Sequence, residues 1–278
     1  MGDFEVDTRV EGSGGRYGAN ISRDWEIWGP NGGYVAAIAL RAAGREAEIA
    51  RPASFSGHFL GRAAFAPVDL DVTKVHGGRR SESLHVVMRQ EGRSIMNAIV
   101  RTAAEGPGLE HDVSRMPEAP EPEGLKTYPE LFPDGPGPPY PFWNNIEGRP
   151  IDPERALVPP EERGAYPPVY REWYRFMPRA TFDDVWVDAA RYLLLIDTLS
   201  WPAAVQPHPQ AAFQGPNLDV TAWFHRFEPE SEWLFSDHEG AIAEGGLIGT
   251  TGRVWSRSGR LLASGGAQLL CLPVPVNG

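Results

Sequence analysis

The chain has 278 residues, of which 41% are hydrophobic, with a single cysteine and a formal net charge of −11. That charge argues against nucleic acid as a partner, the lone Cys271 excludes an intrachain disulfide or a cysteine-rich metal cage, and no run approaches the roughly 18–20 apolar residues of a membrane span. The start, MGDFEVDTRVEG, shows no secretion signal, so a globular cytoplasmic protein is expected.

The first predicted elements are a helix and four strands. In GGYVAAIALRAAG, Val35, Ile38, Ala39 and Ala42 recur at the spacing of an amphipathic helix, and the many small residues predict close packing. DLDVTKV and SLHVVMRQ alternate as half-buried strands do. The strand-like runs are 53–65, 67–76, 80–91 and 93–103. Residues 1–104 are therefore predicted to form one helix-plus-antiparallel-sheet unit.

A proline-rich stretch comes next. Residues 105–168 contain 16 of the 27 prolines, and residues 105–162 hold 13 Asp and Glu against 4 Lys and Arg. Proline fixes φ and lacks a backbone donor, so regular helix or central strand is not expected here. The aromatic residues of the stretch indicate that it packs over the surface. Residues 105–165 are therefore predicted to be an acidic connector.

Residues 166–278 repeat the first scheme. ARYLLLIDTLSWPAAV is an apolar and mainly helical run. The strand-like runs that follow it are 216–228, 231–243, 245–256 and 259–272. Landmarks recur at an offset of about 165 residues, which indicates a duplication. A sheet wrapped around a helix, used twice, predicts an α+β fold.

These motifs resemble the acyl-CoA thioesterase II family. In the first half the resemblance rests on GPNGGYVAAIALRAA, SFSGHFLGRAAFAPVDLDVTKV and GGRRSESLHVVMRQEGRSI. In the second half it rests on LLIDTLSWPAAVQPH, LDVTAWFHR and SGRLLASGGAQLL. The resemblance implies a double hotdog fold in one chain and hydrolysis of a fatty or related acyl-CoA, with no metal or organic cofactor. We also expect a homo-oligomer, because hotdog sheets usually pair into larger units.

The outstanding catalytic candidate is Asp197. It is the only charged residue between Tyr192 and His208, and a carboxylate in an apolar run is costly to bury unless it is used or paired. It could instead cap a helix or make a buried hydrogen bond. The resemblance implies a catalytic role, because the family's catalytic Asp matches Asp197 and would activate or orient water. Gly32 and Gly33 lie at the equivalent place in the first repeat, so we expect one catalytic centre per chain.

The other two catalytic positions that the resemblance implies match less well. The family's Ser or Thr falls on Asn217, which can still hold a water molecule by hydrogen bonds. The family's Gln falls on Ala267, and the neighbouring Gln268 would face the other side of a regular strand. A bulge at the Gly265–Gly266 pair could re-aim Gln268 into the site. These departures leave open a non-catalytic acyl-thioester binding protein with a decayed site.

The run GHFLG at 57–61 resembles the catalytic histidine loop of hotdog dehydratases, which makes a hydratase or dehydratase the alternative enzyme. That loop precedes the central helix of those proteins, whereas His58 follows the predicted helix here. His58 is therefore predicted to be a strand residue, at or near the position that Trp223 occupies in the second repeat.

Several further residues are candidates for substrate contact. The GPNGG run places Gly32 and Gly33 where helix N-terminal amides could hold phosphate, or where glycine allows close helix packing. Arg79 and Arg80, in the turn HGGRRS, could contact CoA phosphates, and Trp223 could line the acyl tunnel or the core. No G-x-S-x-G, H-E-x-x-H or C-x-x-C motif is present, so neither a serine hydrolase elbow nor a zinc site is predicted.

Overall fold

The computed structural model describes residues 1–135, 137–158, 162–210 and 212–274 of the chain. Its α-helices are α1 (Phe4–Asp7), α2 (Gly32–Glu46), α3 (Tyr128–Leu131), α4 (Pro153–Leu157), α5 (Val185–Thr198) and α6 (Ser200–Ala204). Single 3₁₀ turns lie at Arg23–Trp25, Pro122–Gly124 and Pro141–Asn144.

The strands of the first half are β1 (Glu11–Ser13), β2 (Arg16–Asn20), β3 (Pro52–Phe59), β4 (Pro67–Gly77), β5 (Ser81–Gln90) and β6 (Arg93–Ala103). Those that follow are β7 (Ile146–Pro150), β8 (Val169–Phe176), β9 (Phe213–Gln214), β10 (Asp219–Phe224), β11 (Leu234–Glu244), β12 (Leu247–Ser256), β13 (Leu261–Gly266), β14 (Gln268–Leu270) and β15 (Leu272–Pro273).

One antiparallel sheet runs through both halves. Its order is β1-β2-β4-β5-β6-β3-β10-β13-β12-β11-β8-β7, with β14 also paired to β12. The halves meet where β3 pairs with β10, and Ser56 lies opposite Thr221 there with the two hydroxyl oxygens 3.0 Å apart. On each side of this centre the strands follow the same order, as a duplicated unit requires.

The long helices α2 and α5 pack against each other on the inner face of this sheet. Contact with the sheet on one side and with α5 on the other buries α2 on nearly all its faces, so Ala36 and Ala37 are buried together with the predicted apolar stripe. The approach is close enough that a Cβ on Gly33 would lie 2.8 Å from the Cα of Leu194. The α+β class and the double hotdog architecture are confirmed.

The predicted strands differ from the observed ones mainly at their ends. The run at 53–65 ends as β3 at Phe59, and the run at 259–272 is divided into β13, β14 and β15. Four strands were not predicted: β2 and β8, which extend the two halves outward, and the short edge strands β1 and β7 beyond them. The predicted second helical run is interrupted at Leu199, where α5 ends and α6 follows.

The connector covers the outer face of the second half of the sheet. Four aromatic residues on that face form one cluster with connector side chains that include Met116 and Leu125. The four aromatic residues are Trp173, Trp233, Phe235 and Trp255. Acidic connector residues pair with arginines of the second half, as in Asp112–Arg226 at 3.0 Å and Glu123–Arg257 at 2.7 Å. Among its described residues the regular structure is limited to short helices and the edge strand β7, and the division at 104 and 165 stays a prediction.

Candidate active site

Asp197 lies in the last turn of α5 and is only 4% exposed. The side-chain amide of Asn217, just before β10, donates to Asp197 Oδ1 at 2.6 Å and to the Asp197 carbonyl at 2.9 Å. The backbone N–H of Gly33, from the first half of the chain, also donates to the carboxylate. The charge in the apolar run is therefore buried and paired, as burial of a carboxylate requires.

The environment of Asp197 shifts its acidity strongly. Burial raises the pKa of Asp197 to about 7, although the hydrogen bonds from Asn217 and Gly33 act in the opposite direction. A carboxyl group whose pKa lies near neutrality can both take up and release a proton during a reaction. This property distinguishes Asp197 from an exposed aspartate, which would be a much weaker base.

The N-terminus of α2 meets the C-terminus of α5 at this place. Asn31 caps α2 by accepting the Tyr34 N–H at 2.8 Å, and its amide donates to Thr198 Oγ1 at 3.0 Å. A Cβ on Gly32 would lie 2.9 Å from Asp197 Oδ2, so a larger residue would press on the carboxylate. The two predicted glycines are therefore in the site, where they allow the helix end to approach Asp197.

Gly32 also supplies a hydrogen-bond donor. The first N–H groups of a helix have no acceptor within the helix. The Gly33 N–H is used by Asp197, and within the described residues no hydrogen bond uses the Gly32 N–H. A free donor at the positive end of a helix dipole can stabilise an oxygen that gains negative charge.

A buried chain of hydroxyl groups, which was not predicted, supports the end of α5. Ser200 Oγ donates to the Ile196 carbonyl at 3.0 Å, and Thr250 Oγ1 donates to Ser200 Oγ at 2.9 Å. The Ala267 N–H in turn donates to Thr250 Oγ1 at 3.2 Å. No sequence signal points to this chain, because its members lie on separate elements that only the fold brings together.

Gln268 does not reach the site. Its side chain is exposed, whereas the adjacent Ala267 and Leu269 are buried. Gly252 pairs with Gly265 and Gly249 with Gln268, which is one unbroken register, so no bulge re-aims Gln268. The regular alternation of a strand therefore turns the Gln268 side chain away from Asp197, and buried Ala267 occupies the inward position.

His58 and Trp223 lie on the outer face of the sheet. Both are exposed, Trp223 by 53%, and they sit on the central pair of strands at positions flanking the Ser56–Thr221 contact. The buried neighbours of His58 and Trp223 point to the other, helix-covered face. His58 is thus a strand residue, and the structure brings neither His58 nor Trp223 to Asp197.

Arg79 and Arg80 lie in the exposed turn between β4 and β5. The Arg80 carbonyl accepts the Ala104 N–H, next to the end of β6 that pairs with Pro52 at the start of β3. The catalytic candidates lie by Phe59 at the far end of β3, about 23 Å along the strand. The structure does not bring these arginines to Asp197, and their contact with CoA phosphates stays a prediction.

A second junction between the same helices lies at the other ends of α2 and α5. There Trp186 contacts Gly44, so closely that a Cβ on Gly44 would overlap the indole ring. The two contacts correspond to each other by an offset of 153 residues. Gly33 at the first junction corresponds to Trp186 at the second, and Asp197 at the first corresponds to Gly44 at the second. Gly32 and Gly33 are therefore partners of Asp197 and not its counterparts, contrary to the sequence prediction, because the second repeat has a longer segment between helix and sheet. At the second junction Gly44 stands in the place of Asp197 and Trp186 fills the space, while the nearby Asp184 carboxylate caps α5 and accepts the Trp186 N–H at 2.9 Å.

Another buried carboxyl group lies outside this site. Glu172 on β8 is 1% exposed and accepts hydrogen bonds at Oε2 from the hydroxyls of Tyr128, Tyr170 and Tyr174, at 3.1, 2.5 and 3.1 Å. Burial raises the pKa of Glu172 to about 7, against the effect of these hydrogen bonds. Unlike Asp197, this carboxyl group is enclosed by side chains on its own sheet and connector.

Two family models match most of the chain. The model for the acyl-CoA thioesterase N-terminal domain matches residues 21–103, and that for the acyl-CoA thioesterase C-terminal domain matches residues 114–271. The chain belongs to the acyl-CoA thioesterase family. This thioesterase is therefore a thioester hydrolase, and the resemblance found in its sequence is confirmed.

Solved structures agree on the fold of this thioesterase. A thioesterase II of Thermobifida fusca matches with a TM-score of 0.81 at 21% identity, covering 99% of this chain and 98% of that one. The acyl-CoA thioesterase II of Mycobacterium marinum matches with a TM-score of 0.79 at 22% identity, covering 99% and 100%. A tesB protein of Mycobacterium avium subspecies paratuberculosis matches with a TM-score of 0.77 at 24% identity, covering 97% and 98%.

The described part of this thioesterase lacks two further features. None of its helices there is long and apolar enough to cross a membrane. No group of three or more His, Cys, Asp and Glu residues is placed there to hold a metal ion.

Proposed function

We propose that this thioesterase hydrolyses a fatty or related acyl-CoA through a water molecule that Asp197 activates. The observation that supports this proposal is the buried Asp197 carboxylate, with a pKa of about 7, held between Asn217 and the N-terminus of α2. Together with the Gly32 N–H, these groups supply the base and the oxyanion donor that thioester hydrolysis without a covalent nucleophile needs.

The proposed reaction proceeds in two steps. The thioester carbonyl oxygen accepts the Gly32 N–H, and Asp197 removes a proton from water as the water oxygen bonds to the carbonyl carbon. The tetrahedral intermediate then collapses, its carbon–sulfur bond breaks, and the sulfur of CoA takes the proton that Asp197 had received. The products are the free acid and CoA, and Asp197 returns to its ionised form.

Asn217 has an orienting role in this proposal. Its two bonds to Asp197 hold the carboxylate and the helix end in one orientation. Its side-chain oxygen can still accept a hydrogen bond from the attacking water. The substitution of Asn217 for the Ser or Thr that the resemblance implies is therefore compatible with catalysis.

The substitution at Ala267 favours a second candidate, a protein that binds acyl thioesters and hydrolyses them slowly or not at all. Ala267 is buried where the resemblance implies a glutamine, so one polar group that would hold the water is missing. A dehydratase fits the structure less well, because its proposed base, His58, faces the opposite side of the sheet from Asp197.

Free-thiol release from a panel of acyl-CoAs tests the proposal, with wild type, Asp197→Ala and the matched surface control Asp69→Asn measured together. Loss of the base should lower kcat by about 10²–10⁴-fold in Asp197→Ala. Asp69 is exposed on β4, so its variant should match wild type. Equal turnover in wild type and Asp197→Ala would refute the role of Asp197, and binding of acyl-CoA without thiol release would establish the second candidate.

A further inference from the structure

Two tryptophans from different halves of the chain meet beside the proposed site. Trp28 and Trp201 pack edge to face with ring centroids 6.3 Å apart. Trp201 lies four residues after Asp197, across the break at Leu199, and the Leu199 N–H still bonds to the Leu195 carbonyl, so only one residue separates α6 from α5. Trp201 therefore lies in the first turn of α6, directly after the end of α5 that carries Asp197.

Trp28 is held in an unusual backbone conformation. Its φ of 56° lies in the left-handed region, which a bulky residue rarely adopts unless the surroundings impose it. The Trp28 carbonyl accepts a hydrogen bond from Arg62, and its indole N–H donates to Tyr140 Oη at 2.8 Å. Such local strain often accompanies functional sites, and here it fixes the ring four residues before Gly32.

Trp201 is fixed from its other side. A Cβ on Gly215 would overlap the Trp201 ring, so the backbone at Gly215 lies directly against the indole. Trp28 and Trp201 are each only half-buried. Three segments thus position the pair: the loop before α2, the turn of α6, and the loop that leads to Asn217.

The direction inward from Asp197 is closed. Gly33 is in contact with Leu194 and Asp197, and the helix residues behind it, including Ala36 and Ala37, are completely buried. No acyl chain can pass between α2 and α5 without separating them. Phe59 adds a further aromatic wall, since its Cζ would be 3.1 Å from a Cβ on Gly32.

We propose that the Trp28–Trp201 pair forms the acyl wall of the site and restricts this thioesterase to short or planar acyl groups. The proposal rests on the proposed function and names the substrate class of the same site. The two rings contact each other edge to face, and the exposed part of each ring offers a flat apolar surface on which a planar acyl group can stack. A long flexible chain would have to displace rings that three segments hold.

The test uses Trp201→Ala, the milder Trp201→Phe, and Trp223→Ala, a matched control whose ring is exposed on the outer face of the sheet. Wild type should hydrolyse butyryl-CoA and benzoyl-CoA with kcat/KM about tenfold or more above that for palmitoyl-CoA. Trp201→Ala should reverse or abolish this preference, Trp201→Phe should reduce it, and Trp223→Ala should leave it unchanged. The inhibition constant for free CoA should stay constant in all four proteins.

Two results would overturn the proposal: a wild-type preference for palmitoyl-CoA, or an equal effect of Trp201→Ala on every substrate together with weaker inhibition by CoA. The latter would place the pair on the CoA side. Binding of S-butyl-, S-benzyl- and S-hexadecyl-CoA thioethers separates this proposal from hydrolysis. If wild type released no thiol yet preferred the shorter or planar thioethers, and Trp201→Ala lost that preference, hydrolysis would be refuted and the acyl wall supported.

Discussion

The two junctions between α2 and α5 have corresponding backbone positions and different contents. At one junction Asp197 meets Gly33, which leaves the carboxylate in contact with a helix N-terminus. At the other, Gly44 stands in the place of Asp197 and Trp186 in the place of Gly33, and the indole fills the space. The duplicated fold therefore offers two positions for a catalytic centre, and the side chains at these positions determine that only one contains an acid.

The largest effect on stability is expected from removing the Trp186 side chain from the second junction. Trp186→Ala should lower the free energy of unfolding by about 3–5 kcal/mol, because it leaves a cavity against Gly44. Activity per folded molecule should stay at the wild-type level, since Gly44 offers no carboxylate. Chemical denaturation and thiol release measure the two quantities, and a second binding site for an acyl-CoA thioether, detected by calorimetry, would contradict the comparison.

The next effect concerns pH. Asp197 must be ionised to accept a proton, so with its pKa of about 7 we expect kcat/KM to fall about tenfold for each pH unit below 7. Glu172 has a similar pKa but lies outside the site. Glu172→Gln should therefore leave the pH profile of kcat/KM unchanged. A profile that moved in this variant would show that the titration belongs to Glu172 and not to Asp197.

The same shift has a consequence for stability. The pKa of Asp197 is raised on folding from 3.8 to about 7. The protonated carboxyl group therefore contributes to the free energy of unfolding in full below the unfolded-state pKa near 3.8, and this contribution is lost as pH rises through about 7. Asp197→Asn removes this loss and should be more stable than wild type at pH 8 by up to about 4 kcal/mol. Denaturation at pH 5 and pH 8 checks the sign, because the advantage should shrink at the lower pH.

A smaller effect separates packing from catalysis. Gly33→Ala and Gly44→Ala introduce the same methyl group at corresponding junctions, and each should lower stability by about 1–3 kcal/mol through overpacking. Gly33→Ala displaces Asp197, and a misplacement of about 1 Å can lower kcat/KM by about 10²-fold. Gly44→Ala should keep wild-type kcat/KM in its folded fraction. Equal loss of activity in both would mean that helix packing alone accounts for the effect.

The smallest change is expected at Asn217. Asn217→Ala removes the amide that holds the buried carboxylate, and we expect kcat/KM to fall about tenfold, as the loss of one hydrogen bond to a charged group implies. Asn217→Ser, which keeps a hydroxyl, should recover part of this loss. Unchanged kinetics in Asn217→Ala would show that Gly33 alone is enough to orient Asp197.

Much of the fold could be predicted from the sequence. The small-residue helix α2 and the alternating strands gave a clear periodicity, so the helix-plus-sheet units and their duplication were found. The edge strands β1 and β7 were not predicted, because they are short and contain several Gly, Pro and charged residues. The α5 run was predicted, but the break at Leu199 was not, although Thr198, Ser200 and Pro202 around it are poor helix formers.

The site was only partly predictable. Asp197 was recognisable as a single charge in an apolar run, and Gly32 and Gly33 as a motif before a helix. The two glycines were wrongly predicted to be the counterparts of Asp197, because the repeat offset was measured on strands. That offset does not hold for the helices, since the segment between α5 and its sheet is longer than the segment between α2 and its sheet. The pairing of Trp28 with Trp201 and the hydroxyl chain from Thr250 to Ile196 depend on contacts between distant segments, which no local pattern reports.

The connector, which packs its apolar side chains on Trp173 and Trp255, makes the two outer surfaces of the molecule unequal. On the first half, Val75 and Ile99 remain exposed on the outer side of the sheet. A molecule that presents one open sheet surface can use that surface once, so self-association through it ends at a pair. Two open surfaces would instead permit stacks of indefinite length, which the connector would prevent by covering the outer face of the second half.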